Sequence, residues 1–387
     1  MMKNKFIVGL VIAAALAGGA WAAHVENTTT KLDYTVSGGG AAKLTNGTTN
    51  LQDLKGQEAI GVLTGTNGTI LQIGGLYGLA GVSLVTKGPG EGNAYINNIY
   101  LYKEGGHIKI KWAYNYPALT GGAVIYQLVA NDFSKTASSW TAVPGADFDS
   151  TVTSFDLGAD DGKNTYYMVA PKIGGTALTT AKMFNLSPAV PGDYLGKDAN
   201  QTPYVSWPVA KLGLTFAAGE SKLIGYPFRS TGSAGFLTKI ADIAAQAGLT
   251  DGALWYNSNG LLRVNCNSGA WESNLDVGLA AGYWLMSSAA GTYTFTGALI
   301  SQEFDKGMVL GSDIYSYAIP LGITDATLKI DKGYENGDAL WLDNGGLVKY
   351  SYTTTGTPGW DGSFTVPNAR GFWYQKVSSG AKLQTIP

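Results

Sequence analysis

Charged residues, cysteine and histidine are scarce in this sequence, and each shortage excludes a class of protein. Only 14% of the 387 residues are charged, with 26 Lys and Arg against 28 Asp and Glu. This composition excludes a disordered chain and a basic nucleic-acid-binding protein. The single cysteine, Cys266, excludes a disulfide scaffold. Two histidines are too few for a zinc or copper site, and only His107 lies away from the N-terminus as a base for a nucleophilic triad. We expect His107 to be a solvated strand residue, and we expect no enzyme activity, metal or cofactor.

The first 22 residues have the three parts of a secretory signal. Lys3 and Lys5 precede an apolar stretch over residues 6–17, and Ala20 and Ala22 form an A-x-A site. We predict cleavage after Ala22. The alternative is an uncleaved N-terminal anchor, although the apolar stretch is shorter than the ~20 residues that span a bilayer. Because no later segment is long and apolar enough to cross a membrane, we expect a secreted, extracellular or cell-surface protein.

Residues 23–90 are rich in Gly, Thr and Asn, with Asn-Gly turn signals between short apolar segments. This pattern predicts short strands joined by tight turns. Leu32, Tyr34 and Val36 alternate along one face and precede three glycines at residues 38–40. An extended segment of this kind is a candidate donor strand that adds to the open sheet edge of a neighbouring subunit. The alternative is that it pairs within its own chain or frays at the terminus.

Residues 91–187 have the pattern of a β-sandwich. The segment 107–112 alternates strictly, with Ile108, Ile110 and Trp112 on one face and charges on the other, which is typical of a half-buried antiparallel strand. Further strands follow at 123–130, 139–143, 151–157 and 166–171. The order of Trp112, Leu157 and Tyr166 resembles a fibronectin type III-like domain. The resemblance implies that the tryptophan fills the core and that a tyrosine caps the loop into a late strand.

Residues 188–209 are a predicted linker, and the remainder contains an internal repeat. The segment 253–263 aligns with 339–349, and the Gly-aromatic-Trp segment at 282–284 aligns with 371–373. We therefore predict two copies of one β module, at 210–300 and 301–387. The first copy also has helical spacing over residues 236–247, with Ser233 as a candidate cap at its start and Gly248 at its end.

The two copies resemble modules of secreted bacterial surface proteins, in which an aromatic strand leads through a turn to a Gly-aromatic-Trp strand. The resemblance implies no catalytic residue. Four tryptophans recur at equivalent positions, which predicts buried core positions: Trp255, Trp284, Trp341 and Trp373. Trp271 and Trp360 lie next to polar turns instead and are the candidates for a sugar-binding platform.

Acidic residues offer no defined site in the sequence. Asp156, Asp160, Asp161 and Asn164 come closest to a calcium loop, but their spacing fits a hairpin turn better. The other carboxylates are scattered, so they give no pair for glycoside hydrolysis. We keep a surface calcium site as the alternative to the turn.

The sequence as a whole predicts an all-β, multidomain antiparallel sandwich protein with one short helix in the C-terminal region. We expect a secreted, non-enzymatic structural protein of the bacterial cell surface or matrix that self-associates or binds other surface proteins. The alternative is a polysaccharide- or protein-binding adhesin module. We expect no nucleic-acid partner and no membrane span after signal cleavage.

Overall fold

The computed structural model describes most of the chain from residue 94 onward. The described residues are 94–115, 120–186, 194–198, 202–205, 207–258, 260–300 and 303–385, together with six short strands between residues 22 and 73. Two compact units, Met1–Gly88 and Pro89–Pro387, divide the chain. The predicted all-β class is confirmed, because several antiparallel sheets and only two α-helices occur in the described residues. None of the described helices has the length and apolar character needed to span a bilayer.

The strands of the first unit form three antiparallel pairs. They are β1 (Ala22–Asn27), β2 (Thr30–Thr35), β3 (Thr45–Asn46), β4 (Thr49–Asn50), β5 (Gly61–Thr64) and β6 (Ile70–Ile73). Short strands between turn signals agree with the prediction for this region. Leu32 and Tyr34 lie in β2, which pairs with β1 of the same chain. Val36 and residues 1–21, which include most of the predicted signal, lie outside the described residues.

The second unit begins with a sandwich of two sheets. Its elements are β7 (Ile96–Glu104), β8 (His107–Tyr114), β9 (Thr120–Val129), β10 (Thr141–Phe148), β11 (Ser154–Ala159), β12 (Thr165–Ile173), β13 (Thr176–Ala177) and helix α1 (Thr180–Met183). Ile108, Ile110 and Trp112 of β8 point into one core cluster, as their alternation predicts. The hydroxyl of Tyr166 donates to the backbone carbonyl of Asn131 over 2.9 Å, which holds the loop that follows β9.

In its described residues, the rest of the second unit adds four strands to one sheet of the sandwich, together with two five-stranded sheets and two short strand pairs. Its elements are β14 (Val209–Phe216), β15 (Ser221–Gly225), β16 (Arg229–Gly232), β17 (Gly235–Phe236), helix α2 (Ile240–Ala247), β18 (Gly252–Asn257), β19 (Leu261–Asn267), β20 (Ala270–Trp271), β21 (Gly282–Ser287), β22 (Gly291–Ala298), β23 (Phe304–Gly307), β24 (Gly311–Tyr315), β25 (Ile323–Thr324), β26 (Ala339–Asp343), β27 (Leu347–Thr353), β28 (Gly359–Trp360), β29 (Thr365–Val366), β30 (Phe372–Lys376) and β31 (Lys382–Thr385).

One eight-stranded sheet runs across the predicted boundary between the sandwich and the first module. Its order is β10-β9-β12-β14-β22-β16-β17, with β13 paired to β12. Strand β12 pairs with β14 in the register Tyr166 to Ala210. The predicted linker contains side chains that are buried in the described residues: Tyr194, Leu195, Val205 and Trp207. The sandwich and the strands that follow it therefore share continuous backbone pairing.

The two five-stranded sheets have the same strand order. The first sheet is β15-β21-β18-β19-β20, and the second sheet is β24-β30-β26-β27-β28. Trp255 pairs with Trp284 in the first sheet, and Trp341 pairs with Trp373 in the second. The repeated sequence thus occupies the same positions in both sheets, while the module boundaries themselves stay predictions.

The predicted helix at residues 236–247 exists as α2. Its buried residues are predicted correctly, but its first residue is not. Helix α2 buries Ile240, Ile243, Ala244 and Ala247, and Gly248 ends it in a left-handed conformation. The helix begins at Ile240 and not near residue 236, because the chain before it forms the β16–β17 hairpin. Ser233 lies in that hairpin turn and caps nothing. A second short helix, α1, was not expected from the sequence.

Candidate functional site

The two five-stranded sheets meet at a reciprocal junction. Ile224 at the end of β15 forms a bridge with Arg370, and Tyr315 at the matching position of β24 forms a bridge with Ala281. The N–H of Gly225 donates to the carbonyl of Ala369 over 2.9 Å. The N–H of Ser316 donates to the carbonyl of Ala280 over 3.0 Å in the matching place. The same contacts thus occur twice with the sheets exchanged, which is the pattern of a local two-fold relation.

Two glycines make room for this junction. A Cβ at Gly282 would overlap Cγ2 of Ile314 and lie 2.8 Å from the carbonyl oxygen of Tyr315. A Cβ at Gly371 would lie 2.6 Å from the carbonyl oxygen of Ile224 and 3.3 Å from Cγ of Leu223. The edge strand of the other sheet therefore packs directly against each glycine. This explains why the repeated Gly-aromatic-Trp segment begins with glycine in both places.

A row of tryptophans and a cation leads away from the junction in each sheet. In the first sheet the cross-strand partners are Leu223, Trp284, Trp255 and Arg263. In the second sheet they are Ile314, Trp373, Trp341 and Lys349. Directly paired residues of antiparallel strands point to the same face. We call the Trp284, Trp255 and Arg263 set the first row, and the Trp373, Trp341 and Lys349 set the second row.

The four row tryptophans are half-buried, so the prediction that they are buried core residues is wrong. All four have intermediate exposure, whereas Leu223 and Ile314 at the junction end of each row are buried. The core of each sheet lies on its other face, where Leu254, Leu285, Leu340 and Tyr374 are buried. Alternation in a strand puts neighbouring residues on opposite faces, and the rows occupy the less covered one.

Each row places its cation against an indole ring. The guanidinium carbon of Arg263 lies 5.0 Å from the ring centroid of Trp255, and Nζ of Lys349 lies 5.4 Å from that of Trp341. Both distances are in the range of cation–π attraction. Both cations are on exposed residues. The sequence contained the signal for these rows, since Trp and a cation recur at the same spacing in both repeats.

Trp271 and Trp360, the candidates for a sugar-binding platform, lie apart from the rows and are also half-buried. Trp271 packs against the main core cluster. Trp360 has aromatic neighbours with ring centroids 5.3 to 6.3 Å away: Tyr334, Tyr352, Phe364 and Tyr374. No observation of the structure tests sugar binding by either ring, so their role stays a prediction.

The acidic residue after each of these tryptophans holds a strand in place. The Glu272 carboxylate accepts the backbone N–H of Asn265 over 2.9 Å, and the Asp361 carboxylate accepts the N–H of Ser351 over the same distance. The hydrogen bonds from Asn265 lower the pKa of Glu272. The repeated Trp-acid pair in the sequence could have revealed this role.

The candidate calcium loop is a turn whose carboxylates bind lysines. Asp160 lies 2.8 Å from Nζ of Lys103, and Asp161 forms an ion pair with the buried Lys211. The N–H groups of Gly162 and Lys163 donate to the same two carboxylates. In the described part of the chain, no group of three His, Cys, Asp or Glu side chains has the arrangement of a metal site. His107 is exposed in β8, with Nδ1 3.0 Å from the carboxylate of Asp156.

A buried ion pair lies in the second sheet. Nζ of Lys376 is 2.8 Å from Asp338 and 2.7 Å from Glu335, and the hydroxyl of Tyr374 donates to Asp338 over 3.1 Å. Asp338, Lys376 and Tyr374 are almost completely buried. Burial and the neighbouring Asp338 charge raise the pKa of Tyr374. The side-chain polar atoms of Asp338, Lys376 and Tyr374 all have partners inside the protein, which indicates a structural role.

Comparison with known proteins identifies no family for this chain. No protein-family model matches the sequence, and no curated protein matches it. The crystal structure of the chicken CNTN1 FN1–FN3 domains aligns with 76% of this chain and 98% of that chain, with a TM-score of 0.18 and 8% identity. Similarity at this level supports no inference about function.

Proposed function

We propose that this protein is a secreted, non-enzymatic structural protein of the bacterial cell surface or matrix, whose copies self-associate. The observation that carries the proposal is an apolar patch at one end of the second sheet. Val309, Leu310 and Val377 lie just beyond the last paired residues of β24 and β30, and they are 48%, 64% and 40% exposed. Contiguous exposed apolar side chains mark protein–protein contact sites.

The first sheet shows that the patch is not needed for the fold. Aligned by strand register, the matching residues of the first sheet are Ala218, Gly219 and Ser288, all exposed. The same arrangement of strands therefore forms with small or polar residues at this end. The apolar residues of the second sheet are left for contact with another molecule, and we take that molecule to be a second copy of this chain.

Three of the described edge strands are poorly suited to the addition of a strand from another chain, which favours association through side chains there. Edge strand β10 contains Pro144 and an irregular register, and the edge strands β20 and β28 have two residues each. Short, bulged and proline-containing edges resist pairing with another chain. Strand donation by Leu32, Tyr34 and Val36 is a separate proposal for the first unit.

The test is assembly of the purified mature chain, observed by negative-stain electron microscopy and light scattering. We expect polymers from the wild type and loss of polymers with Leu310→Asp and Val377→Asp. Ala218→Asp and Ser288→Asp, at the matching positions of the first sheet, are the controls and should assemble normally. Equal assembly of all four variants would reject the patch, and a monomeric wild type would reject self-association. Deleting residues 23–36 tests strand donation independently.

A second candidate function is a polysaccharide- or protein-binding surface adhesin. The two half-exposed tryptophan rows favour it, because large aromatic side chains at the surface are typical of binding sites. Retention of the chain on an immobilised polysaccharide, with elution by the free polymer, tests this function. Passage through every such column would reject the polysaccharide form of it.

A further inference from the structure

We propose that the first and second rows, at matching positions of the two sheets, are two binding sites for an acidic polysaccharide. In each site the indoles contact the apolar faces of sugar rings, and Arg263 or Lys349 binds the sugar carboxylates. The proposal rests on the second candidate function and identifies its residues and its ligand class. It does not depend on self-association.

The first argument is that both repeats contain the row residues, although these residues are not buried in the core of either sheet. In the aligned hairpins, Tyr256 is replaced by Leu342, Asn259 by Gly345 and Leu262 by Val348. Both tryptophans and a cation are nevertheless present in each row, on the half-covered face of the sheet. A half-exposed indole leaves apolar area in water that binding of a ligand would remove.

The second argument is the availability of the two cations. None of the described ion pairs includes Arg263 or Lys349, and each cation contacts an indole ring. The charge of Arg263 also helps to lower the pKa of Glu272, but the hydrogen bonds to that carboxylate come from Asn265. A guanidinium forms strong, two-pronged hydrogen bonds with carboxylates, and an ammonium attracts them as a point charge. A cation next to a flat apolar ring suits a ligand that has both a hydrophobic face and an acidic group.

The third argument ranks the two sites. Asn257 shares the face of the first row, whereas Asp343 occupies the matching position in the second sheet. Glu272 and Asp361 lie at matching places in the two sheets and do not distinguish the sites, but the additional carboxylate of Asp343 repels an acidic ligand from the second row. We therefore expect the first row to bind an acidic polysaccharide more tightly than the second.

The experiment measures affinity of the full-length mature protein for polygalacturonate, with dextran as the neutral comparison. Arg263→Glu and Trp255→Leu should each weaken binding to polygalacturonate about tenfold, and Lys349→Glu should weaken it less. Leu262→Ser, an exposed residue on the other face of β19, and Lys329→Glu, an exposed cation elsewhere, are the matched controls. Circular dichroism confirms that each variant is folded.

The possible outcomes separate this inference from the function on which it rests. Binding that is lost in the row variants and kept in both controls supports the two sites. Wild-type binding that is unchanged in the row variants rejects the rows but keeps the adhesin function. Equal binding of dextran rejects the acidic ligand, and no binding of either polymer rejects the rows as polysaccharide sites.

Discussion

Ala280 and Ala369 have a backbone conformation that side chains usually avoid. Their φ angles are +59° and +58°, and their carbonyls accept the junction hydrogen bonds from Ser316 and Gly225. A residue with a Cβ loses roughly 1–2 kcal/mol in the left-handed region. Because the same strain recurs at matching places, we attribute it to the junction and not to either sheet alone.

We predict that Ala280→Gly and Ala369→Gly raise the free energy of unfolding by up to about 1 kcal/mol, because glycine has no Cβ to clash at this φ angle. Chemical denaturation measures the change. Ala253→Gly is the control, since Ala253 is buried in a regular strand, and it should be destabilising by about 1 kcal/mol. Equal losses in all three variants would contradict the strain.

At the scale of elements, the junction depends on close approach between strands of the two five-stranded sheets. The sequence motif alone shows that Gly282 and Gly371 recur, and the structure shows why: each lies under the edge strand of the opposite sheet. When two sheets make the same contacts with each other, the contacting surface of each sheet is covered by the other. This face is therefore already occupied within the chain and is not free for another copy.

We predict that Gly282→Ala and Gly371→Ala each lower the free energy of unfolding by about 1–3 kcal/mol, because the new methyl group overpacks the junction. Thermal or urea unfolding measures the loss. Gly307→Ala is the control, since no atom lies within 4 Å of a Cβ placed there. Stabilities equal to that of this control would show that the sheets separate easily.

The two sheets also differ in how their central strands are supported. Gly252 pairs with Ser287 in the first sheet. The residues at the matching positions of the second sheet are the buried Asp338 and Lys376. Asp338 also accepts the N–H groups of Glu335 and Val377 over 3.1 Å. These bonds hold the turn before β26, which matches the segment between helix α2 and β18 in the first sheet.

We predict that Lys376→Met lowers the free energy of unfolding by about 3–5 kcal/mol, because it leaves the Asp338 charge buried without its partner. The double variant Asp338→Asn with Lys376→Met should recover part of this loss. Lys382→Met, which removes the more exposed ion pair with Asp305, should cost less than about 1 kcal/mol. A double-mutant cycle that shows no coupling would contradict the buried pair.

At the scale of the whole second unit, one acidic turn joins three distant segments. Asp160 precedes β12 and binds Lys103 of β7, while Lys211 of β14 lies between Asp160 and Asp161. Burial acts to raise the pKa of Asp160, but the ion pair with Lys103 and the hydrogen bond from the N–H of Gly162 lower it, so that the pKa is about 2. The ionised carboxylate therefore stabilises the folded state.

We predict that Asp160→Asn lowers the free energy of unfolding by roughly 2 kcal/mol at pH 7. Because the folded-state pKa lies below the ordinary value of 3.8, the wild-type advantage is complete above that value and disappears as the pH falls to about 2. Denaturation curves from pH 7 to pH 2 measure this convergence. A difference between wild type and variant that stays constant across the range would contradict it.

The sequence by itself determined the β class, the alternating strand at residues 107–112 and the repeated strands, because these follow from local periodicity and spacing. It also determined the buried face and the end of α2, which depend on helical spacing and on Gly248. Secretion, self-association and the platform role of Trp271 and Trp360 stay predictions.

Only the tertiary structure decided which face of each repeated strand is covered. A tryptophan in an alternating strand fits the core or the opposite face equally well in sequence, and the row tryptophans lie on the face that the junction covers only in part. The tertiary structure also decided that β12 pairs with β14 and that the turn at Asp160 binds Lys103 and Lys211. These partners are far apart in the chain. Local patterns carry no information about such partners, since any strand of suitable length satisfies the same backbone hydrogen bonds.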